Sequence, residues 1–205
     1  MTAMTIASLV IATIIWIILT FMLWRSRRWL LFYLTGAFGF TLLMMFAAVI
    51  LDWDTWLEAI EAAQVAAISA ALGMGVDLLG KTGLAIPNHT GWAVFDVGIE
   101  CSALLEMSAI VGLTMFYPAF NGGRKLLTAG IGTVATYIAN IMRILLIVAI
   151  INAFGTNWVF AAHAVFGRVF FFIATIALYW YLITRPTVHH VRNQIAEEPE
   201  GGSDG

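Results

Sequence analysis

The one cysteine of the chain, Cys101, lies in Asp96-Val-Gly-Ile-Glu-Cys-Ser-Ala-Leu-Leu-Glu106, where a polar, glycine-dotted stretch becomes a long apolar run. An ionised cysteine is the strongest side-chain nucleophile near neutral pH. A lone cysteine forms no internal disulfide, and taken alone most are small buried hydrophobes. Two later apolar segments change that weighting. The first carries Thr133, Thr136, Tyr137, Asn140 and Arg143 in steps of three, one, three and three, which is one polar stripe on a helix. The second carries His163, with Gly167 one turn later on the same face and Arg168 about 140° round the helix. An arginine inside a membrane helix is costly unless it faces protein or water, so its default reading is functional. The rival reading of Arg143 is structural, bonded to carbonyls or to Glu106.

These residue types make a coherent set. A cysteine attacks a carbonyl as thiolate, and a nearby cation favours that form. Histidine takes and returns protons near neutral pH. Arginine cannot act as a base, but it stabilises a thiolate or an oxyanion. Glu100 would oppose thiolate formation if turned inward, so it is expected to point away. One cysteine and one well-placed histidine fall short of a metal-ligand set, and no cofactor motif is present.

The elements that must position these residues are membrane helices. The 205 residues are 61% hydrophobic and 11% charged, and the mean hydropathy is +0.93. That excludes an ordinary soluble domain. A net charge of −2 without a basic patch gives no basis for nucleic-acid binding. Helix one is expected over Met4–Trp24, a retained span rather than a signal peptide. Arg25, Arg27 and Arg28 place the following loop in the cytoplasm. Helix two follows over about Trp29–Leu51. Trp56–Leu79 has helical periodicity but contains Glu58, Glu61, Gln64, Ser69 and Asp77. A second basic turn, Asn121-Gly-Gly-Arg-Lys125, puts Cys101 on the outside. Helix two also ends outside, so an even number of crossings separates the two, and zero is simplest. Trp56–Leu79 is therefore expected to lie flat on the outer surface. Gly83–Ile86 and Trp92–Val97 read as a hairpin around Pro87-Asn-His-Thr-Gly91. Helix three is expected from Cys101 to Phe120, helix four over about Lys125–Ile151 and helix five over Trp158–Thr184. Arg143 then lies ~12 Å below the outer end of helix four.

Cys101-Ser102, Asn140-Ile-Met-Arg143-Ile144 and His163-Ala-Val-Phe-Gly167 occur in the order and sidedness of three motifs of the exosortase/archaeosortase family. Over about residues 70–181 the chain resembles that family, whose motifs are Cys-Ser-Gly, Asn-x-x-Arg-Ile and His-x-x-x-Gly. The glycine of the first is Ala103 here, and the arginine often found two residues further on is Leu105. The resemblance implies a multipass membrane cysteine enzyme with sortase-like activity. It would cleave a C-terminal sorting tail, made of a short motif, a transmembrane helix and basic residues, and pass the protein to a surface anchor. It also implies Cys101 as nucleophile, Arg143 as activating or oxyanion-stabilising cation and His163 as acid/base. Asn140, Ser102, Gly167, Glu106 and Arg168 would be supporting positions.

The expectation is an all-α integral membrane protein of about five transmembrane helices, with one outer-surface amphipathic helix and a short extracytoplasmic hairpin. Residues 1–184 would form a single membrane domain with its catalytic core over about 70–181, and 185–205 a polar cytoplasmic tail. Its partners would be the bilayer, tethered protein substrates and a lipid or glycan acceptor. The competing class is a non-catalytic transport or assembly component in which Arg143 and His163 line a polar path. A rhomboid-type protease would need a Gly-x-Ser-x-Gly elbow, which is absent from the sequence.

Overall fold

The computed structural model describes residues 3–185, so all of the expected tail except Arg185 lies outside the described residues. Helices α1 (Ala3–Arg25) and α2 (Trp29–Ile50) form an antiparallel pair. Four helices are long and apolar enough to cross a membrane, α1, α2, α5 (Gly122–Phe154) and the C-terminal helical run Thr156–Thr184. A fifth apolar helix, α4 (Leu104–Met115), has only 12 residues. The chain is a helical multipass membrane protein, with the fifth expected span shorter than read from the sequence.

α1 is apolar on every side and almost wholly exposed, as a lipid-facing helix should be. One donor anchors it, Trp16 Nε1 to the Thr35 carbonyl at 3.0 Å. Trp16 also packs edge-on against Phe116, with ring centroids 5.6 Å apart. α4 packs against α2 through Gly112, where an added Cβ would stand 2.8 Å from the Ala37 carbonyl oxygen. Tyr33 packs edge-on against Tyr117, and the Arg124 guanidinium lies over the Phe120 ring. Both basic turns, at Arg25–Arg28 and Arg124–Lys125, therefore sit at one end of the bundle.

The other end carries α3 (Trp53–Ala71) and a three-stranded antiparallel sheet, β1 (Asp77–Leu79), β2 (Gly83–Asn88) and β3 (Gly91–Asp96). Two sequence expectations are corrected here. The helix read over Trp56–Leu79 ends at Ala71, because Gly73 and Gly75 take φ of +75° and +62°, which stops a right-handed helix. The released segment then pairs Asp77–Leu79 with Gly83–Ala85, which makes the expected hairpin a sheet of three strands. Likewise α4 starts at Leu104 rather than Cys101. The Gly98 carbonyl accepts from both Cys101 N and Ser102 N, and that closes a turn before the helix begins.

α3 and the sheet enclose the last turns of α5. Ala62 and Val65 of α3, Leu84 and Ile86 of β2, and Ile144, Ile147, Val148 and Ile151 of α5 share one buried cluster with Cys101. The 33 residues of α5 extend ~50 Å, well beyond a hydrocarbon core of ~30 Å. The 22-residue α2 spans ~33 Å. The excess of α5 is the part wrapped by the cap, and Arg143 lies near where that wrapped part begins.

α3 is docked on the cap and is not among the four helices long and apolar enough to cross, so its two flanks are expected on one side of the membrane. Cysteines placed at the exposed positions Thr55 and Lys81, in a Cys101→Ala background, should react together with an impermeant maleimide added from one side of sealed vesicles. Labelling from opposite sides would mean that α3 crosses.

Candidate active site

The nucleophile candidate sits in a tight turn whose backbone donors are already committed. Cys101 N and Ser102 N both donate to the Gly98 carbonyl, at 2.7 and 3.1 Å, and Ser102 Oγ donates to the Ile99 carbonyl at 3.1 Å. The thiol is buried, 3% exposed. Its sulfur lies 3.5 Å from Nδ1 and 4.0 Å from Nε2 of His163, across 62 residues of sequence. In the tautomer with its proton on Nε2, His163 offers Nδ1 as acceptor for the thiol. The imidazole rests against Phe95 of β3, with ring centroids 5.5 Å apart.

His163 belongs to a π-helical turn, Ala162–Gly167, inside the C-terminal helical run. Such insertions widen one turn and recur at functional sites. Gly167 makes the approach of this turn to α5 possible, since a Cβ there would stand 2.8 Å from Ile147 Cδ1. Sequence reading finds His163 and Gly167 by type and spacing but has no signal for the π turn.

Arg143 is placed against the backbone of the Cys101 turn. One terminal nitrogen donates to the Cys101 carbonyl and lies 3.5 Å from the Glu100 carbonyl. Its guanidinium covers the Phe171 ring at 4.5 Å. The carbonyl-bonded alternative for Arg143 is thus part of what the structure contains. Asn140 joins the same acceptor, with Nδ2 2.9 Å from the Cys101 carbonyl. Glu106, half-buried in the first turn of α4, adds a negative charge that acts on Arg143. Arg168 is brought to the rim, where it pairs with the exposed Glu100 carboxylate at 3.8 Å.

Glu61 is the residue that motif reading misses. It is completely buried, and its Oε1 accepts from Asn140 Nδ2 at 3.0 Å and from the Ala103 N–H at 3.3 Å. The sequence marks it as one of several polar residues on an amphipathic helix. Nothing local says which of them turns inward. Burial pushes its carboxyl up to about 7, against the hydrogen bonds from Asn140 and Ala103 and the Arg143 charge, which pull it down. Among the described residues no group of three His, Cys, Asp or Glu side chains gathers as a metal site.

The sequence model of the transmembrane exosortase family matches residues 1–180. The chain belongs to that family. No curated protein and no solved structure matches it. Family membership makes it a membrane-embedded enzyme of the sortase-like transpeptidase type, and the geometry of Cys101 and His163 can be weighed against that chemistry. Burial raises the Cys101 thiol to about 11, and the Glu100 and Glu61 charges add to the rise; the Arg143 and Arg168 charges only partly offset it. Burial therefore favours the neutral thiol in the resting site.

A raised thiol pKa leaves only about a thousandth of the sulfur ionised at pH 8. Because the chain has one cysteine, iodoacetamide reports on Cys101 alone. Its alkylation rate should climb about tenfold per pH unit from pH 7 to 9.5. A plateau below pH 8 would reveal a stable thiolate–imidazolium pair instead.

Proposed function

We propose that this exosortase is a thiol transpeptidase or protease that cleaves C-terminal sorting tails of membrane-tethered proteins at the outer face of the membrane. The observation that carries this reading is the 3.5 Å contact between the only cysteine and His163. The two basic turns at the opposite end of the bundle support a cytoplasmic position for that end, and hence an outer position for the cap. Residues 1–184 act as one membrane domain, with the catalytic core over about 70–181.

Since the thiol is neutral at rest, attack and deprotonation belong to one step. Cys101 Sγ attacks the scissile carbonyl as its proton passes to His163 Nδ1. The tetrahedral intermediate collapses as the C–N bond breaks, and His163 returns the proton to the leaving amine. The products are a thioester on Cys101 and the released sorting tail. An acceptor amine or hydroxyl, on a lipid or glycan, or water then attacks the thioester. His163 takes the acceptor's proton, and the thiol recovers it on leaving.

Stabilising the oxyanion falls to side chains, because the N–H groups of Cys101 and Ser102 are spent on Gly98. Arg143 is the cation whose charge acts most strongly on Cys101, and its Nε makes no hydrogen bond. It both grips the Cys101 carbonyl and supplies positive charge beside the reacting centre.

Processing of a co-expressed reporter ending in a sorting motif, a transmembrane helix and a basic tip tests the reading by a size shift. Cys101→Ala should abolish processing, and normal processing by that variant would overturn the proposal. A transport or assembly role would survive the substitution. Arg143→Lys should lower the rate ~10²-fold although charge is kept, because lysine lacks the planar guanidinium that bonds the Cys101 and Glu100 carbonyls through one terminal nitrogen, stacks on Phe171 and keeps Nε for the oxyanion. Near-normal processing by Arg143→Lys would reduce the arginine to a point charge.

A further inference from the structure

We propose that Glu61, on the surface helix α3, is a positioning residue that fixes the Cys101 turn through Asn140 and the Ala103 N–H. The inference rests on the thiol-transpeptidase reading. The motif resemblance does not include Glu61, and α3 contributes no other side chain that hydrogen-bonds to the turn among the described residues.

The connections are specific. A single carboxylate oxygen, Glu61 Oε1, accepts from Ala103 N at 3.3 Å and from Asn140 Nδ2 at 3.0 Å. The same Asn140 nitrogen donates to the Cys101 carbonyl at 2.9 Å. Both neighbours are acceptors, which fixes the Asn140 amide with its nitrogen towards them. Glu61 thus holds the turn at both ends, directly at residue 103 and through Asn140 at residue 101. With Arg143 on the same carbonyl, the backbone that carries the sulfur has little freedom left.

Two other roles for Glu61 fit less well. As an electrostatic activator it has the wrong sign, since a carboxylate beside the sulfur opposes thiolate formation. As a source of net stability a buried carboxylate is a poor choice, because the cost of taking it out of water offsets much of what its hydrogen bonds return. α3 is in any case tied to α5 without it. Tyr137 donates to Gln64 Oε1 at 2.8 Å, and Ala62 and Val65 bury their side chains in the shared cluster. What Glu61 alone adds is the geometry of the turn.

Glu61→Met and Glu61→Gln separate these roles in the full-length protein. Methionine keeps the volume and removes both acceptor bonds, whereas glutamine keeps an oxygen that can take them. With the sorting-tail reporter, Glu61→Met should remain folded, with Tm lowered by only a few degrees, because the Ala103 N–H loses its acceptor. Its kcat should fall ~10²-fold, the scale of an ångström-sized misplacement, with KM little changed. Glu61→Gln should stay within about threefold of wild type. Glu61→Met/Asn140→Ala should lose less than the product of the two single losses, because the Asn140 arm is common to both. Wild-type kcat in folded Glu61→Met, equal losses in the Met and Gln variants, or additive losses in the double variant would overturn the proposal. A substrate-free measurement keeps it separate from the reading it rests on. Iodoacetamide should alkylate the loosened Cys101 of Glu61→Met about tenfold faster than that of Glu61→Gln, both variants having lost the same negative charge near the thiol. If Cys101→Ala processes the reporter normally, the transpeptidase reading fails, and equal alkylation of Glu61→Met and Glu61→Gln overturns the positioning role on its own.

Discussion

The carbonyl oxygen of Cys101 is the point from which the cap end of the molecule is built. It accepts from Asn140 and Arg143, one helical turn apart on α5, and the backbone it belongs to carries the thiol. Arg143 extends the connection to the C-terminal helical run through Phe171, and that run also carries His163. Asn140 extends it to α3 through Glu61. Three elements far apart in sequence thereby refer to one atom. Charge-assisted hydrogen bonds to a buried carbonyl are among the stronger protein contacts, and losing one partner would leave buried polar groups unsatisfied.

Much of this was legible because polar residues in an apolar helix stand out. The stripe from Thr133 to Arg143 has helical spacing on a segment with no other reason to be polar, and its partner-seeking groups must meet protein. His163 and Gly167 are readable for the same reason. The spans themselves follow from length and composition, and α1, α2 and α5 begin and end within about three residues of the expected places. Glu61 was not legible. The acidic residues of α3, Asp54, Glu58 and Glu61, share one helical face, and only docking against α5 decides that Glu61 is the one buried completely while Trp56 stays exposed. The end of α3 was hidden by coincidence, since Leu72, Val76 and Leu79 keep a helical period across glycines that reverse the sign of φ. The role of Arg143 was half legible. Its type and depth announce a buried cation with a purpose, but nothing in the sequence says that a main-chain carbonyl takes its first hydrogen bond.

The unequal lengths of α4 and α5 give the site its depth. α4 rises only ~18 Å over its 12 residues. A helix starting at the same basic end as α2 would need ~20 residues to cross. Its other end is therefore sunk below the top of the bundle, and the Cys101 turn that precedes it is sunk as well. α5 does the opposite and overshoots, so its last turns provide a post against which α3 and the sheet close over the turn. The sulfur ends up beneath a proteinaceous cap, at the end of the bundle away from the basic turns. On the proposed reading it meets its substrate near the limit of the hydrocarbon, and that height is a matching condition. The helix of a tethered substrate stops where the hydrocarbon stops, and the peptide just beyond it is the first that is extended and free to be attacked. A nucleophile held on a surface loop would meet that peptide surrounded by water. Held at the boundary and kept a neutral thiol by burial, Cys101 is shielded from competing reactions until a substrate carbonyl arrives beside His163, and the pinned carbonyl of Cys101 keeps the sulfur at that height.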